Sequence, residues 1–219
     1  MTEKMITAIQ VQKRNPNRVN IDLDGEFAFG LSRITAAWLK IGDRLSEERV
    51  EFLRQEDAVE VAYQRALLLL GYRARSEQEL RRKLTEKNFT ADQVEIVVQK
   101  LKRANLIHDE SFARDWIENR NLLHPRSKRL MRLELLQKGV DEEHIETALS
   151  GAAADHDLAR RAASAYSRRL AGRDFVTFRK RLSGFLARRG FSYDVIIQVV
   201  AEQWKQLDST NNIKNNEEV

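Results

Sequence analysis

Three stretches of this chain can be laid over one another without a gap. Lys87-Asn88-Phe89-Thr90-Ala91-Asp92-Gln93-Val94 is matched 51 residues on by Lys138-Gly139-Val140-Asp141-Glu142-Glu143-His144-Ile145, and 51 further by Arg189-Gly190-Phe191-Ser192-Tyr193-Asp194-Val195-Ile196. Each copy passes from a basic residue through a turn residue and an apolar one to a capping side chain, acids and a β-branched residue. Gly139 and Gly190 stand where a helix ends in left-handed backbone, and Asn88 is the next most tolerant residue there. Thr90, Asp141 and Ser192 suit the N-cap of the helix that follows. The register continues on both sides. Leu80 and Leu84 correspond to Met131 and Leu135, then to Leu182 and Leu186. Val94, Val97 and Val98 correspond to Ile145, Ala148 and Leu149, then to Ile196, Val199 and Val200. These i, i+3, i+4 spacings are the apolar stripe of a packed helix.

A repeat of this length with two visible helices needs a third to close its core, and Val59–Tyr72, Glu110–Leu122 and Leu158–Ala171 supply it. The predicted fold is mainly α: three tandem three-helix repeats, each touching mainly its neighbours, in an elongated α-solenoid-like rod. A small β-hairpin or meander precedes them. In it Val19, Ile21 and Leu23 alternate with polar residues, Asp24-Gly25 gives a type I′ hairpin turn, and Asn15-Pro16-Asn17 reads as an earlier turn. Ser46 starts a short helix. The expected divisions are 1–57 for the hairpin and short helix, 58–108, 109–154 and 155–207 for the three repeats, and 208–219 for a polar, Asn-rich disordered tail.

The absence of cysteine excludes disulfides, thiolate zinc sites and cysteine nucleophiles. No apolar run approaches the roughly 18 residues of a membrane span, and the N-terminus lacks the apolar core of a signal peptide, so a soluble cytoplasmic protein is expected. His108, His124, His144 and His156 have no metal-ligand spacing. No phosphate loop, Gly-x-Ser-x-Gly or His-Glu-x-x-His is present. The charge is uneven. The chain carries +5 overall, yet residues 160–190 hold ten Lys or Arg against Asp174 alone, whereas residues 1–60 are slightly acidic. Such a field suits a polyanion at one end and a different partner elsewhere; a solvated arginine face is the plainer alternative.

The most distinctive segment is Arg73-Ala74-Arg75-Ser76-Glu77-Gln78-Glu79-Leu80-Arg81-Arg82-Lys83-Leu84. Ser76 and Glu79 have capping-box spacing, Leu80 and Leu84 face the core, and Arg81, Arg82 and Lys83 fan outward. Arg75-Ser76 recurs as Arg126-Ser127 at the repeat interval, whereas the third repeat has Phe178 at the position of the serine. With its Arg-Ser-x-x-Glu-Leu core and following Lys-Leu, the segment resembles the signature of the RecX family. Leu106-Ile107-His108-Asp109-Glu110-Ser111-Phe112-Ala113, the turns at Lys138-Gly139-Val140 and Arg189-Gly190-Phe191-Ser192, and Leu39 with Ile41-Gly42-Asp43-Arg44-Leu45 resemble other parts of that family, over residues 5–206 in all.

The resemblance implies a non-catalytic, chiefly negative regulator that lies along the filament of RecA recombinase on single-stranded DNA. The setting it implies is homologous recombination, DNA repair and the SOS response. From the residues themselves no cofactor, no metal and no membrane contact are expected, and a monomer is expected because the chain shows no long uncapped heptad and no large exposed apolar face. The candidate contacts are basic residues of the second-helix segments: Arg75, Arg81, Arg82, Lys83 and Lys87; Arg126, Lys128, Arg129 and Arg132; and Arg179, Lys180, Arg181, Arg188 and Arg189. If equivalent helices line up, these charges form a discontinuous stripe able to track phosphates or to face acidic protein. Arg160, Arg161, Arg168 and Arg169 extend it or are simply solvated. Most aromatics near the basic runs, such as Phe178 and Phe185, have core spacing. The alternative is a general or sequence-specific DNA-binding protein of helix-turn-helix-like units. A spread of Arg and Lys over three units favours backbone contact over base reading.

Overall fold

A computed structural model describes residues 3–217, with side chains described over 3–208. The chain divides into two compact units, 1–107 and 108–219.

The first unit opens with an antiparallel sheet of four strands, β1 (Lys4–Gln12), β2 (Asn15–Leu23), β3 (Glu26–Ser32) and the two-residue β4 (Arg44–Leu45), in the order β3-β2-β1-β4. Asp24 and Gly25 both take positive φ, 52° and 90°, as the expected hairpin turn requires. The earlier turn falls elsewhere than expected. It uses Lys13 and Arg14, and Asn15-Pro16-Asn17 begins β2. The register of β1 on β2 slips between Val11 and Gln12. Pro16 thus sits at the start of a strand beside an irregularity, where its missing N–H breaks no regular ladder.

Ser46 caps α1 (Glu47–Tyr72), its hydroxyl accepting the Arg49 N–H at 3.2 Å. This is one continuous helix and not a short helix followed by a second, because no glycine or proline interrupts 47–70. Its N-terminal half buries Leu53 against the sheet. Its C-terminal half buries Val59, Ala62 and Ala66 in a separate core with α2 (Glu77–Thr85) and α3 (Ala91–Arg103). Asp57, 7% exposed, ties sheet to helix: it accepts Arg18 Nη2 at 2.7 Å and the Ser32 N–H at 2.5 Å.

The second unit holds α4 (Asp109–Leu123), α5 (Lys128–Gln137), α6 (Glu142–Ser150), α7 (Asp155–Arg168), α8 (Phe175–Arg188) and α9 (Tyr193–Glu217). The expected series of three-helix units after a small sheet is therefore present. The last two units share one apolar core, in which Met131 and Leu135 of α5 join Leu182 and Leu186 of α8. The helix α9 continues over the polar segment read as a tail, which contains no glycine or proline to stop it; residues 218–219 lie outside the described residues.

The repeated turn is the same object three times. Asn88, Gly139 and Gly190 have φ of 64°, 74° and 85°. In each, the N–H of the following apolar residue returns to the carbonyl of a core leucine: Phe89 to Leu84 at 3.4 Å, Val140 to Leu135 at 3.1 Å and Phe191 to Leu186 at 3.4 Å. The caps are less uniform. Thr90 and Gln93 form a full capping box, whereas Asp141 makes no side-chain cap bond. Ser76 and Ser127 cap α2 and α5, while α8 starts earlier than the interval predicts, at Asp174, whose carboxylate accepts the Thr177 N–H at 2.9 Å. That extra turn puts Phe178 inside the helix, fully buried.

The third of these turns is also a contact between repeats. The Ser127 N–H donates to Arg189 O at 3.0 Å, and a Cβ on Gly190 would lie 2.6 Å from Ser127 Oγ and 2.8 Å from Leu130 Cβ. Gly172 shares the positive φ (80°) but faces open space. Gly190→Ala should therefore cost about 2–4 kcal/mol, left-handed strain plus overpacking, against about 1 kcal/mol for Gly172→Ala. Urea unfolding of the two variants measures the difference, and equal losses would contradict the close approach.

Candidate interaction surface

The basic residues sort by what the fold has placed beside them. In the first unit, α2 starts where Ser76 Oγ accepts the Glu79 N–H at 3.1 Å, and the Glu79 carboxylate takes both Nη atoms of Arg73, at 2.8 and 3.0 Å. Arg75 turns back and donates from Nε to Leu69 O at 3.1 Å. Arg81 bridges Glu77 and Glu95, each at 2.7 Å. Burial pushes the Glu77 carboxyl up, but Lys102 and Arg81 together outweigh it and hold it below the ordinary carboxylate range. Arg75 and Arg81 are thus held within the unit. Lys83 meets Glu86 at 2.7 Å, an exposed pair worth little. Arg82 is only 3.9 Å from the same carboxylate, and Lys87 is exposed.

In the second unit, Glu134 on α5 collects three donors. Trp116 Nε1 and Arg120 Nε each reach its Oε2 at 2.9 Å, and Arg126 Nη1 pairs with its Oε1. Arg120 also lies over the Trp116 ring, 4.5 Å from its centroid. Three guanidiniums crowd here. Burial lowers the Arg126 pKa, and the charges of Arg120 and Arg189 lower it further. Arg189 donates to Pro125 O at 2.9 Å and lies over Phe185 at 4.5 Å; burial lowers its pKa as well. Lys128 donates from Nζ to Leu149 O at 3.2 Å, and its backbone N–H meets Asp155 Oδ1 at 2.8 Å. Arg132 is held by Glu142 and, at 3.1 Å, by Glu146.

A different set faces outward. Arg129 on α5, and Arg179, Lys180, Arg181 and Arg188 on α8, are exposed and have no acidic partner among the described residues. Arg181, Gly184 and Arg188 lie at i, i+3 and i+7, on one face, and the Arg188 guanidinium folds back to 3.5 Å from where a Gly184 Cβ would be. On α7, Arg161 is exposed, Arg160 pairs with Asp157 at 3.1 Å, and Arg168 caps the Ser164 carbonyl at 3.2 Å. Such a field, largely free of acid, draws in anions and loses strength with salt.

Among the candidates taken from sequence, Arg75, Arg81, Arg126, Lys128, Arg132 and Arg189 are cross-links within their units, and Arg82, Lys83, Lys87, Arg129, Arg179, Lys180, Arg181 and Arg188 keep solvent-facing charge. Glu134 and Arg120 were not legible as a pair, because their spacing matches no helical contact and depends on how α4 lies against α5. No helix is long and apolar enough to cross a membrane, and no group of three His, Asp or Glu could hold a metal, both among the described residues. Glu134→Gln should destabilise the second unit by about 1–3 kcal/mol, because two partly buried guanidiniums lose their counter-charge. Glu118→Gln, on the exposed side of α4, should cost under about 0.5 kcal/mol. Chemical denaturation of both decides it, and equal midpoints would show that Glu134 is not the anchor.

Comparison with known proteins adds the following. Residues 4–46 match a family model described as the regulatory protein RecX N-terminal domain, and residues 62–101, 109–149 and 154–200 match the first, second and third RecX three-helix domains. The regulatory protein RecX of Bacillus pumilus (strain SAFR-032) is 32% identical over 91% of this chain and 77% of its own. That of Clostridium botulinum (strain Eklund 17B / Type B) is 29% identical over 90% and 95%. A solved structure of a regulatory protein RecX superposes with a TM-score of 0.69 at 28% identity, covering 90% of this chain and 98% of that one.

Proposed function

This chain belongs to the RecX family, and from that premise we propose that it is a non-catalytic, cytoplasmic regulator of RecA recombinase. It binds along the RecA filament on single-stranded DNA and chiefly lowers its activity. The observation that carries this reading is the unpaired cationic surface of α8 with Arg129. Cations that a fold needs for itself are paired inside it, and these are not. Phosphates and acidic protein side chains are the partners such a surface fits.

The tandem units suit a partner that is itself a repeat. Several modest contacts on one chain act at high effective concentration once the first has formed, so tandem repeats gain affinity without any single strong site. A filament presents the same subunit and the same strand at regular intervals, so one monomer spans several binding sites. Arg82, Lys83 and Lys87 are the contacts proposed for the first repeat, Arg129 for the second, and Arg179, Lys180, Arg181 and Arg188 for the third. Whatever reaches ATP hydrolysis does so through RecA, because the chain brings no recognised nucleotide motif of its own.

The test is DNA-dependent ATP hydrolysis by RecA of the same source, titrated with this protein below one copy per RecA. Hydrolysis is expected to fall at substoichiometric ratios, because one bound copy hinders more than one subunit. A fall only when the protein is abundant enough to coat the DNA would leave a general DNA-binding protein and contradict the proposal.

A further inference from the structure

The helix α1 serves two cores in turn, the sheet at Leu53 and the first three-helix unit from Val59 onward. Neither takes the row Phe52, Glu56, Glu60, Gln64 and Leu68, which runs at i, i+4 spacing along about 24 Å of the helix. Glu60 is half-buried and the other four are exposed. Two openings border this row, both within the first unit. One, of about 420 Å³, lies among Phe52, Ile34 and Trp38 in the turn after β3, and Ile96 on α3. The other, of about 910 Å³, lies among Leu68, Arg33, Arg65 and Phe89. Ile34 and Glu60 line both, so the openings meet there and form one furrow.

Trp38 is 89% exposed, Ile34 64% and Leu68 59%, and Phe52 and Ile96 are exposed beside them. Single apolar side chains on a surface are ordinary. Five along one furrow make the kind of patch that marks a protein contact, and tryptophan is among the side chains that anchor such contacts best. Charge gives the furrow a direction. Toward Phe52 it holds Glu56 and Glu60 against Lys100. Toward Leu68 it holds Arg33, Arg65 and Lys87, none with an ion-pair partner among the described residues, while Arg18 beside them is held by Asp57. Two carboxylates at the end with the exposed indole repel a run of phosphates, so the furrow does not suit the single strand proposed above. A helix suits it. Amphipathic helices seat an i, i+3, i+4 apolar face in such grooves, and acids in the first turn and bases in the last stabilise a helix. We propose that the furrow docks one amphipathic helix of a partner protein, antiparallel to α1. Its acidic start lies at Arg33 and Arg65, its basic end at Glu56 and Glu60, and its apolar face on Leu68, Ile34 and Trp38. This goes beyond the regulatory role, because it gives the first unit a protein-binding surface of its own, different in character from the cationic surface of α8.

The experiment uses the full chain, without RecA, and a synthetic amphipathic peptide of about 18 residues, long enough as a helix to cover the row. The peptide carries Leu along one face, Glu in its first turns, Lys in its last turns and a dansyl group at one end. Energy transfer from Trp38 should be stronger with dansyl on the Lys end than on the Glu end, and Trp38→Phe should abolish that difference. Trp38→Ala should weaken binding, read by dansyl anisotropy, about tenfold, as loss of an anchor does, and leave the thermal midpoint unchanged because the side chain is exposed. Arg33→Glu combined with Arg65→Glu should weaken it about fivefold or more. Absence of binding to the unmodified chain, or equal transfer from the two ends, would overturn the proposal. Two further results would overturn it, read as protection of Trp38 from acrylamide quenching without peptide. Protection by an oligothymidine strand would make the furrow part of a nucleic-acid surface, and protection by raised concentration of the chain alone would make it an interface between two copies. Because no arm contains RecA, these results stand apart from those of the ATP hydrolysis titration.

Discussion

The second unit depends on one meeting point, where the left-handed end of α8 lies against the start of α5. Gly190 can take φ of 85° and leave room for Ser127 and Leu130, and only then does the Ser127 N–H reach Arg189 O. Neither half of this contact is optional. A side chain at residue 190 would collide with Ser127, and a Ser127 pushed away would lose the hydroxyl that caps α5 through the Leu130 N–H. Two repeats are thereby joined over one apolar core. That suits small helical units, whose stability lies largely in the interfaces between neighbours.

The same junction explains the sorting of the basic residues. Where helix ends meet, cations lose water and must be compensated, so Arg126 is found on Glu134 and Arg189 on a backbone carbonyl and an aromatic ring. On the outward faces of α5 and α8, at Arg129 and even at Arg188 next to Arg189, solvation is intact and no partner is required. The arginines that hold the repeats together and those left facing solvent are therefore chemically identical and differ only in place. Removing one of the first kind loosens the fold; removing one of the second changes only the field outside it.

Much of this could be read from the chain. The 51-residue interval located all three left-handed turns, and the i, i+3, i+4 stripes named the side chains that became the core. Asp24-Gly25 fixed one hairpin correctly, while Asn15-Pro16-Asn17 misled, because turn-forming residues also tolerate the irregular start of a strand. The exposed stretch of α8 was legible as an unbroken basic run. The internal role of Arg126 and Arg132, and the second partner of Arg81, were not, since Glu134, Glu142 and Glu95 stand at no helical spacing from them and only packing brings them together.

The charges proposed to carry the contact with the filament are above all those of α8, which have no acidic partner among the described residues. The most direct measurement is the concentration of a triple variant, Arg179→Gln with Lys180→Gln and Arg181→Gln, needed to half-suppress RecA ATP hydrolysis, set beside its thermal midpoint. That concentration should rise roughly tenfold or more, as lost charge contacts imply, with the midpoint unchanged. Suppression as strong as that of the unmodified chain would contradict it.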